Sequence, residues 1–230
     1  ISEIRRKGNI YKGKVSRIEP SLGAAFINYG AERHGFLPFK EIAPQYYPEK
    51  NNRKARLSVS DCLKKDQEIL VQVEKDERGN KGAALTTNIS LAGRYLVLMP
   101  NNPKAAGISR RLEGKEREKL KERIASLNVP ESMGLIVRTA GEGKELEDLK
   151  WDLEYLQRVW EGINEANTLK NAPILIFKES DIIIRALRDY LKEDIEEIWV
   201  DTEEAFEEAS EFVERVMPDQ IKILNKYENT

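Results

Sequence analysis

The sequence predicts an α+β protein of several domains, in which a five-stranded OB-fold barrel precedes mixed α/β elements. Five short β-rich segments occupy the first 91 residues, and a polar loop at 42–66 separates the third from the fourth. Beyond residue 144, helical and strand-like segments alternate. Residues 1–144 carry 28 Lys and Arg against 17 Asp and Glu, whereas residues 145–230 carry 10 against 23. Contact with a polyanion is therefore expected in the first part of the chain.

The five barrel strands are separated by residues typical of turns. Strands are predicted over residues 9–19, 24–29, 35–39, 67–76 and 83–91. A tight turn at 30–33 joins the second and third strands into a hairpin, and a glycine-containing turn at 77–82 joins the last two. In an OB-fold the second and third strands form the usual oligonucleotide face, so this hairpin is the expected binding surface.

Two aromatic residues lie on this hairpin among basic side chains. Period two places Phe26 on the face opposite Ile27 and Tyr29, and Phe36 lies across the turn beside Arg33. Single-stranded nucleic acid binds to rings that stack on its bases and to cations that neutralise its phosphates. The alternative is a core position for both rings, which aromatic identity alone favours. The cations expected to contact RNA are Lys12, Lys14, Arg33, Lys40, Lys81, Arg110 and Arg111.

A second polar site follows a buried strand in the middle of the chain. Residues 135–137 predict a strand that delivers Arg138 and Thr139 at its end, ahead of a turn at 141–143. An arginine fork, a hydroxyl and the backbone N–H groups of a turn together suit a phosphate. A salt bridge from Arg138 to the acidic helix behind it is the alternative, and the residues alone leave both readings open.

The remaining segments predict helices on sheets. A strand is expected at 94–100, a helix at 115–127, and a long helix at 145–169 that packs on a sheet rather than in a coiled coil. From residue 174 onward the order is β-α-β-α-β, with strands at 174–177, 197–200 and 221–224 and helices at 180–192 and 203–216. That order indicates an α/β layer.

Composition excludes several classes of protein. One cysteine, Cys62, excludes an internal disulfide and any cysteine-pair metal site, and it is expected to be a small core residue. The chain has no apolar run of bilayer length and no apolar signal core at its start, which predicts a cytoplasmic protein. Because the chain does not begin with methionine, we expect it to be a piece of a longer protein.

Several stretches resemble one family of bacterial endoribonucleases, the ribonuclease E/G family. Residues 9–14, 24–26, 29–38 and 82–87 resemble its S1 RNA-binding domain, and residues 96–103, 107–111 and 134–141 resemble its 5′-sensor. In that family an Arg-Thr pair binds the 5′-monophosphate of RNA. The resemblance implies this role for Arg138 and Thr139, helped by the strand backbone around Gly93 and Val97.

The resemblance also implies a division of the chain and of its chemistry. It gives an S1 domain at 1–87, a 5′-sensor at 88–183 and part of an RNase H-like subdomain at 184–230. No cofactor is expected in the chain itself. Magnesium, with zinc as a further candidate, is expected in the parent protein, in a DNase I-like region that would follow Thr230 and join subunits into a homo-oligomer. The chain is then expected to bind single-stranded RNA with a 5′-monophosphate without cutting it.

Two other functions remain open. One is an S1 RNA-binding module without end specificity. The other is a metal nuclease that uses Asp181, Asp189, Asp194 and Asp201. Two-metal chemistry needs carboxylates that converge on the ions, whereas Asp189 and Asp194 lie on or after an acidic helix where solvated charge is the ordinary explanation.

Overall fold

The five predicted strands form a closed barrel. In the computed structural model, which describes residues 5–49, 57–179, 182–191, 195–216 and 218–227, they are β1 Ile10–Glu19, β2 Ala24–Asn28, β3 Gly35–Pro38, β4 Glu68–Lys75 and β5 Ala84–Thr86. A short helix, α1 Val59–Cys62, precedes β4. Strand β1 pairs with both β2 and β4, and β5 lies between β3 and β4. The OB-fold prediction is confirmed.

The alternation of side chains fills the barrel interior. Fully buried positions on the strands include Val15, Ile27, Leu37, Val71 and Leu85. Burying a side chain of this size contributes roughly 1.5–3 kcal/mol, so these strands stabilise one another through their inner faces. Cys62 is also buried in this core, as predicted.

The chain leaves the barrel earlier than predicted, because β5 ends at Thr86 rather than near residue 91. The Thr86 hydroxyl donates to the Glu41 carboxylate at 2.8 Å, and the Thr87 hydroxyl donates to the Glu41 carbonyl at 2.7 Å. The Asn88 N–H then donates to the Thr86 hydroxyl oxygen at 3.0 Å. Such side-chain bonds compete with the strand ladder, so the chain turns away and enters a second sheet.

The second sheet has four strands, with β6 Leu91–Ala92, β7 Leu96–Met99, β8 Ala106–Ile108 and β9 Gly134–Val137 in the order β6-β7-β9-β8. Helices α2 Gly114–Ala125 and α3 Leu146–Leu169 belong to the same unit. Leu149 and Leu153 of α3 share a core with Leu96 and Leu98 of β7. The long helix therefore packs on a sheet, as predicted, whereas β8 was not predicted as a strand.

Strand β10 Ile174–Phe177 corrects one sequence-based expectation. It pairs antiparallel with β1 of the barrel, with Ile10 opposite Phe177 and Lys12 opposite Ile174, and so is not the first strand of an α/β layer. The physical reason is the length of α3, whose 24 residues span about 36 Å and carry the chain back to the barrel. The proposed boundaries at 87/88 and 183/184 stay predictions.

The last unit is small. Helices α4 Ile182–Tyr190 and α5 Glu203–Val216 pack on a parallel pair formed by β11 Ile198–Val200 and β12 Leu224–Lys226. The last strand begins later than predicted, because a 3-10 segment occupies Pro218–Ile223. Along the part of the chain that the structure describes, no helix is both long and apolar enough to cross a membrane.

Candidate nucleic-acid interface

The two hairpin aromatics lie outside the barrel core. Phe26 and Phe36 are directly opposite each other on β2 and β3, and their rings meet edge to face with centroids 5.8 Å apart. Both residues are half-buried, whereas the neighbouring Ile27 and Tyr29 are buried. Of the two readings that the sequence left open, the structure supports the surface position over the core position.

A cation missed by the sequence analysis completes this aromatic face. The Arg17 guanidinium lies 4.6 Å from the centroid of the Phe26 ring, a cation–π distance. Arg17 is opposite Phe26 because β1 bulges between Val15 and Arg17. A bulge changes which residues face each other, so strand alternation alone could not place this arginine.

Most of the predicted basic residues are exposed to solvent, and one of them is enclosed by other parts of the chain. The exposed ones are Lys14, Arg33, Lys40, Lys81, Arg110 and Arg111. Arg33 donates to the Gly79 carbonyl in the turn beyond β4, so it also joins two loops of the barrel.

Lys12 is the exception, because its ammonium already has partners within the chain, and its contact with RNA stays a prediction. Its ammonium donates to the carbonyls of Asn167 and Lys170 at 2.8 Å each, and lies 3.1 Å from the Glu68 carboxylate. The side chain is only 13% exposed. A cation at the carboxyl end of a helix satisfies its last carbonyls, so Lys12 fastens α3 to the barrel.

The second polar site lies where two parallel strands end. Ile108 of β8 pairs with Val137 of β9, so the residues that follow each strand are neighbours. The Ser109 N–H donates to the Val137 carbonyl at 2.9 Å, and the hydroxyls of Ser109 and Thr139 are 3.0 Å apart. Two hydroxyls are therefore adjacent to each other, one of them on the residue that follows Arg138. Ser109 was not among the predicted site residues, and the parallel pairing that places it was not predicted either.

The Arg138 guanidinium is held on two sides. One nitrogen, Nη1, donates to the Gly93 carbonyl at 2.6 Å and the Arg94 carbonyl at 3.3 Å. The other, Nη2, donates to Asp189 Oδ1 at 2.8 Å. The expectation of a salt bridge is thus met, but by α4 and not by the acidic helix α3. A guanidinium has five N–H donors, and these contacts use at most three of them.

A buried carboxylate positions the loop that holds Arg138. Asp152 of α3 is 3% exposed, and it accepts hydrogen bonds from the backbone N–H groups of Arg94 at 3.0 Å, Tyr95 at 2.8 Å and Leu96 at 2.9 Å. Burial raises the pKa of the Asp152 carboxyl, and these N–H groups act against that rise. An acidic residue on the apolar face of a helix signals a specific partner, and that signal was available in the sequence.

Gly93 is required by this arrangement. A Cβ at this position would lie 2.4 Å from Asp152 Oδ1, closer than real Cβ atoms come to any neighbour. The Gly93 N–H donates to the Leu96 carbonyl at 2.8 Å, which closes the turn between β6 and β7. Val97 is farther along β7, opposite Ile136 of β9. The structure brings Gly93 into contact with Arg138, and places Val97 across from the strand that carries it.

The loop that carries Arg110 and Arg111 is held by the side chain of Arg117. Arg117 Nη1 donates to the carbonyls of Ile108, Ser109 and Leu112 at 3.2–3.3 Å. The loop therefore presents two exposed arginines directly after Ser109. An arginine that binds three carbonyls of one loop has a structural role, and sequence reasoning had not singled it out.

The alternative metal nuclease gains no support. Asp189 is bound by arginines and Asp201 is exposed, while Asp181 and Asp194 lie outside the described residues. Within the described ranges, no group of three or more His, Cys, Asp or Glu side chains converges on a cation site.

Comparison with known proteins matches the sequence to two family models. The model of the S1 RNA binding domain matches residues 5–88, and the model of the ribonuclease E/G family matches residues 90–230. The chain belongs to the ribonuclease E/G family. The resemblance predicted from the sequence is confirmed, and the closed barrel is the S1 RNA-binding domain of this family member.

Several relatives share most of the chain. Ribonuclease E of Haemophilus influenzae is 58% identical over 224 residues, which are 97% of this chain and 24% of that protein. Ribonuclease E of Escherichia coli is 58% identical over 209 residues, 91% of this chain and 20% of that protein. Ribonuclease G of Salmonella typhimurium is 37% identical over 224 residues, 96% and 45% respectively. The chain thus spans a quarter or less of these two ribonuclease E proteins, and resembles them more than the ribonuclease G protein.

Proposed function

We propose that this chain is the RNA-recognition portion of a single-strand-specific endoribonuclease that acts in RNA processing and decay. The S1 barrel binds single-stranded RNA, and a corner formed by Arg138, Thr139 and Ser109 at the ends of β9 and β8 recognises a 5′-monophosphate. The observation that carries the proposal is the Arg138 guanidinium, anchored by the Gly93 carbonyl, on the residue that precedes the paired hydroxyls of Thr139 and Ser109 at the ends of two parallel strands.

The chemistry of the corner favours a terminal phosphate. A phosphomonoester carries close to two negative charges at neutral pH and three free oxygens, whereas a diester carries one charge and two free oxygens. Arg138 is anchored through Nη1 by two carbonyls, so little side-chain freedom remains to be lost on binding. Hydroxyls of Thr139 and Ser109 supply neutral donors. Hydrogen bonds to charged groups are worth roughly 1.5–3 kcal/mol, about tenfold or more in affinity.

The barrel supplies binding that does not depend on the end of the RNA. Phe26 and Phe36 offer half-buried rings on the expected oligonucleotide face, and the Arg17 guanidinium lies against the ring of Phe26. Stacking of a base on an aromatic ring contributes about 1–3 kcal/mol and tolerates any base.

For the whole protein we propose magnesium-dependent cleavage in the cytoplasm, with zinc as a second metal and a homo-oligomeric assembly. The support is the similarity to proteins named ribonuclease E, together with the resemblance noted in the sequence. Among the described residues no group of metal ligands converges on a cation site, so the proposal gives none of them a role in cleavage.

The decisive experiment compares two short single-stranded RNAs of one sequence, one with a 5′-monophosphate and one with a 5′-hydroxyl. The chain should bind the monophosphate about tenfold more tightly. Arg138→Ala should remove that difference and leave the hydroxyl RNA bound as before, and Arg138→Lys should restore part, because an ammonium lacks the fork. Arg158→Ala, an exposed arginine of α3, is the matched control and should change nothing.

The same RNAs separate this function from that of a general S1 module. Equal affinity for both ends by the unaltered chain would reject the 5′-sensing role and leave the general module. Phe26→Ala and Phe36→Ala should weaken the binding of both RNAs equally, by about 1–3 kcal/mol. The melting temperature should change little, because neither ring is in the core. Unchanged affinity in both variants would reject the aromatic face.

A further inference from the structure

The arginine of the proposed 5′-sensor already has an anionic partner within the chain. Asp189 of α4 places Oδ1 2.8 Å from Arg138 Nη2. The two residues are 51 positions apart in sequence and come from different structural units, so the contact depends on the docking of α4 against the second sheet. A carboxylate oxygen at this distance stands where an oxygen of a bound phosphate would meet the same nitrogen.

Asp189 is held in place independently of Arg138. Arg188 Nε donates to Asp189 Oδ1 and Arg188 Nη2 donates to Oδ2, both at 3.1 Å. Arg188 in turn donates from Nη1 to Glu179 at 3.1 Å, and its side chain is only 12% exposed. Partial burial favours the neutral acid, but hydrogen bonds from Arg188 and Arg138 more than offset it, so the pKa of Asp189 lies below its ordinary value. The carboxylate is therefore ionised at neutral pH.

We propose that Asp189 is a specificity-determining residue, which competes with RNA for the Arg138 fork and so reserves the site for a dianionic 5′-phosphate. This inference rests on the proposed 5′-sensing function. A diester phosphate carries the same single charge as Asp189, but the carboxylate is tethered beside the arginine and has the advantage of effective concentration. A terminal phosphomonoester carries nearly twice the charge and displaces it.

Displacement of Asp189 requires little rearrangement. The side chains of Arg138 and Asp189 are 27% and 31% exposed, so both charges reach water when they separate. Arg188 binds both carboxylate oxygens and retains the released group, so α4 keeps its position. The phosphate binds only as far as its contacts with Arg138 exceed those of the carboxylate it replaces.

Three RNAs of one sequence test the inference, with a 5′-monophosphate, a 5′-monophosphate methyl ester or a 5′-hydroxyl. Asp189→Asn keeps the shape and removes the charge. We expect it to bind the monophosphate and the methyl ester about two- to fivefold more tightly, the range of an exposed ion pair. The methyl ester should gain at least as much as the dianion, and the hydroxyl RNA, whose internal diesters carry the same charge as the methyl ester, should not lose affinity.

Controls separate competition from other effects of the substitution. Glu207→Gln on α5 makes the same change of charge at another exposed carboxylate and should leave all three affinities unaltered. In the Arg138→Ala background, Asp189→Asn should have no effect. Thermal melting checks folding, and Asp189→Ser replaces Asp189→Asn if the latter is not folded.

The outcomes discriminate between the two levels of the proposal. If the unaltered chain does not prefer the monophosphate, the 5′-sensing function fails and this inference fails with it. If the unaltered chain does prefer it, while loss of the Asp189 charge leaves affinity unchanged or weakens it, 5′-sensing stands and the competition is rejected. Weaker binding would mean that Asp189 orients Arg138 for the phosphate.

Discussion

Gly93→Ala is expected to damage the loop that holds Arg138. Its new Cβ would lie 2.4–2.5 Å from both carboxylate oxygens of Asp152. That carboxylate cannot retreat freely, because three backbone N–H groups, of Arg94, Tyr95 and Leu96, fix it. Either the carboxylate withdraws by about 1 Å and loses two of these charged hydrogen bonds, at roughly 1.5–2 kcal/mol each, or the loop moves. We therefore expect the free energy of unfolding to fall by about 3–4 kcal/mol.

The assay combines melting with RNA binding. A loss of that size lowers the melting temperature of a chain of this length by about 6–16 °C. Because the Gly93 and Arg94 carbonyls anchor Arg138, the preference for 5′-monophosphate RNA should fall as well. Gly107→Ala is the matched control, since a Cβ there meets nothing within 4 Å. The reasoning is refuted if both variants melt together and keep the same preference.

Four further predictions follow from the same contacts. Asp152→Asn should lower stability by about 2 kcal/mol and reduce the preference for a 5′-phosphate, since an amide sets an N–H against a backbone N–H; a melting curve like that of the unaltered chain would contradict this. Lys12→Met should lower the melting temperature without weakening RNA binding by the folded chain, whereas Lys14→Met should weaken RNA binding without lowering the melting temperature. The opposite result for the two variants would show that the roles of these cations were misassigned. The pKa of Asp189 is lowered in the folded chain, so its ionised carboxylate stabilises the fold above about pH 4, and that contribution is lost as pH falls through the folded-state pKa. The difference in stability between the unaltered chain and Asp189→Asn should therefore shrink in acid. A difference that grows in acid would contradict this prediction. The logarithm of the affinity for single-stranded RNA should fall with the logarithm of the salt concentration, with a slope of about -0.7 per phosphate neutralised. Affinity that does not depend on salt would exclude the exposed lysines and arginines as the RNA-binding surface.

The local pattern of the chain determined most of the elements. Alternation of apolar and polar residues is a property of neighbouring positions, so it placed β1 to β4 and put Phe26 on the face opposite Ile27. Helical spacing placed α3 and its buried face for the same reason. The position of Arg138 at the end of a buried strand also followed from the sequence, because an apolar run ends there.

Tertiary structure alone decided the partners of Lys12, Asp152 and Arg138. Lys12 binds carbonyls 155 and 158 positions away, Asp152 binds N–H groups 56–58 positions away, and Arg138 meets Asp189 across 51 positions. Periodicity states which face of an element a residue occupies, but not what is packed against that face. A cation on a predicted strand therefore has the same sequence pattern whether it is exposed to solvent, like Lys14, or enclosed by a helix end, like Lys12, because only the path of α3 back to the barrel makes the difference.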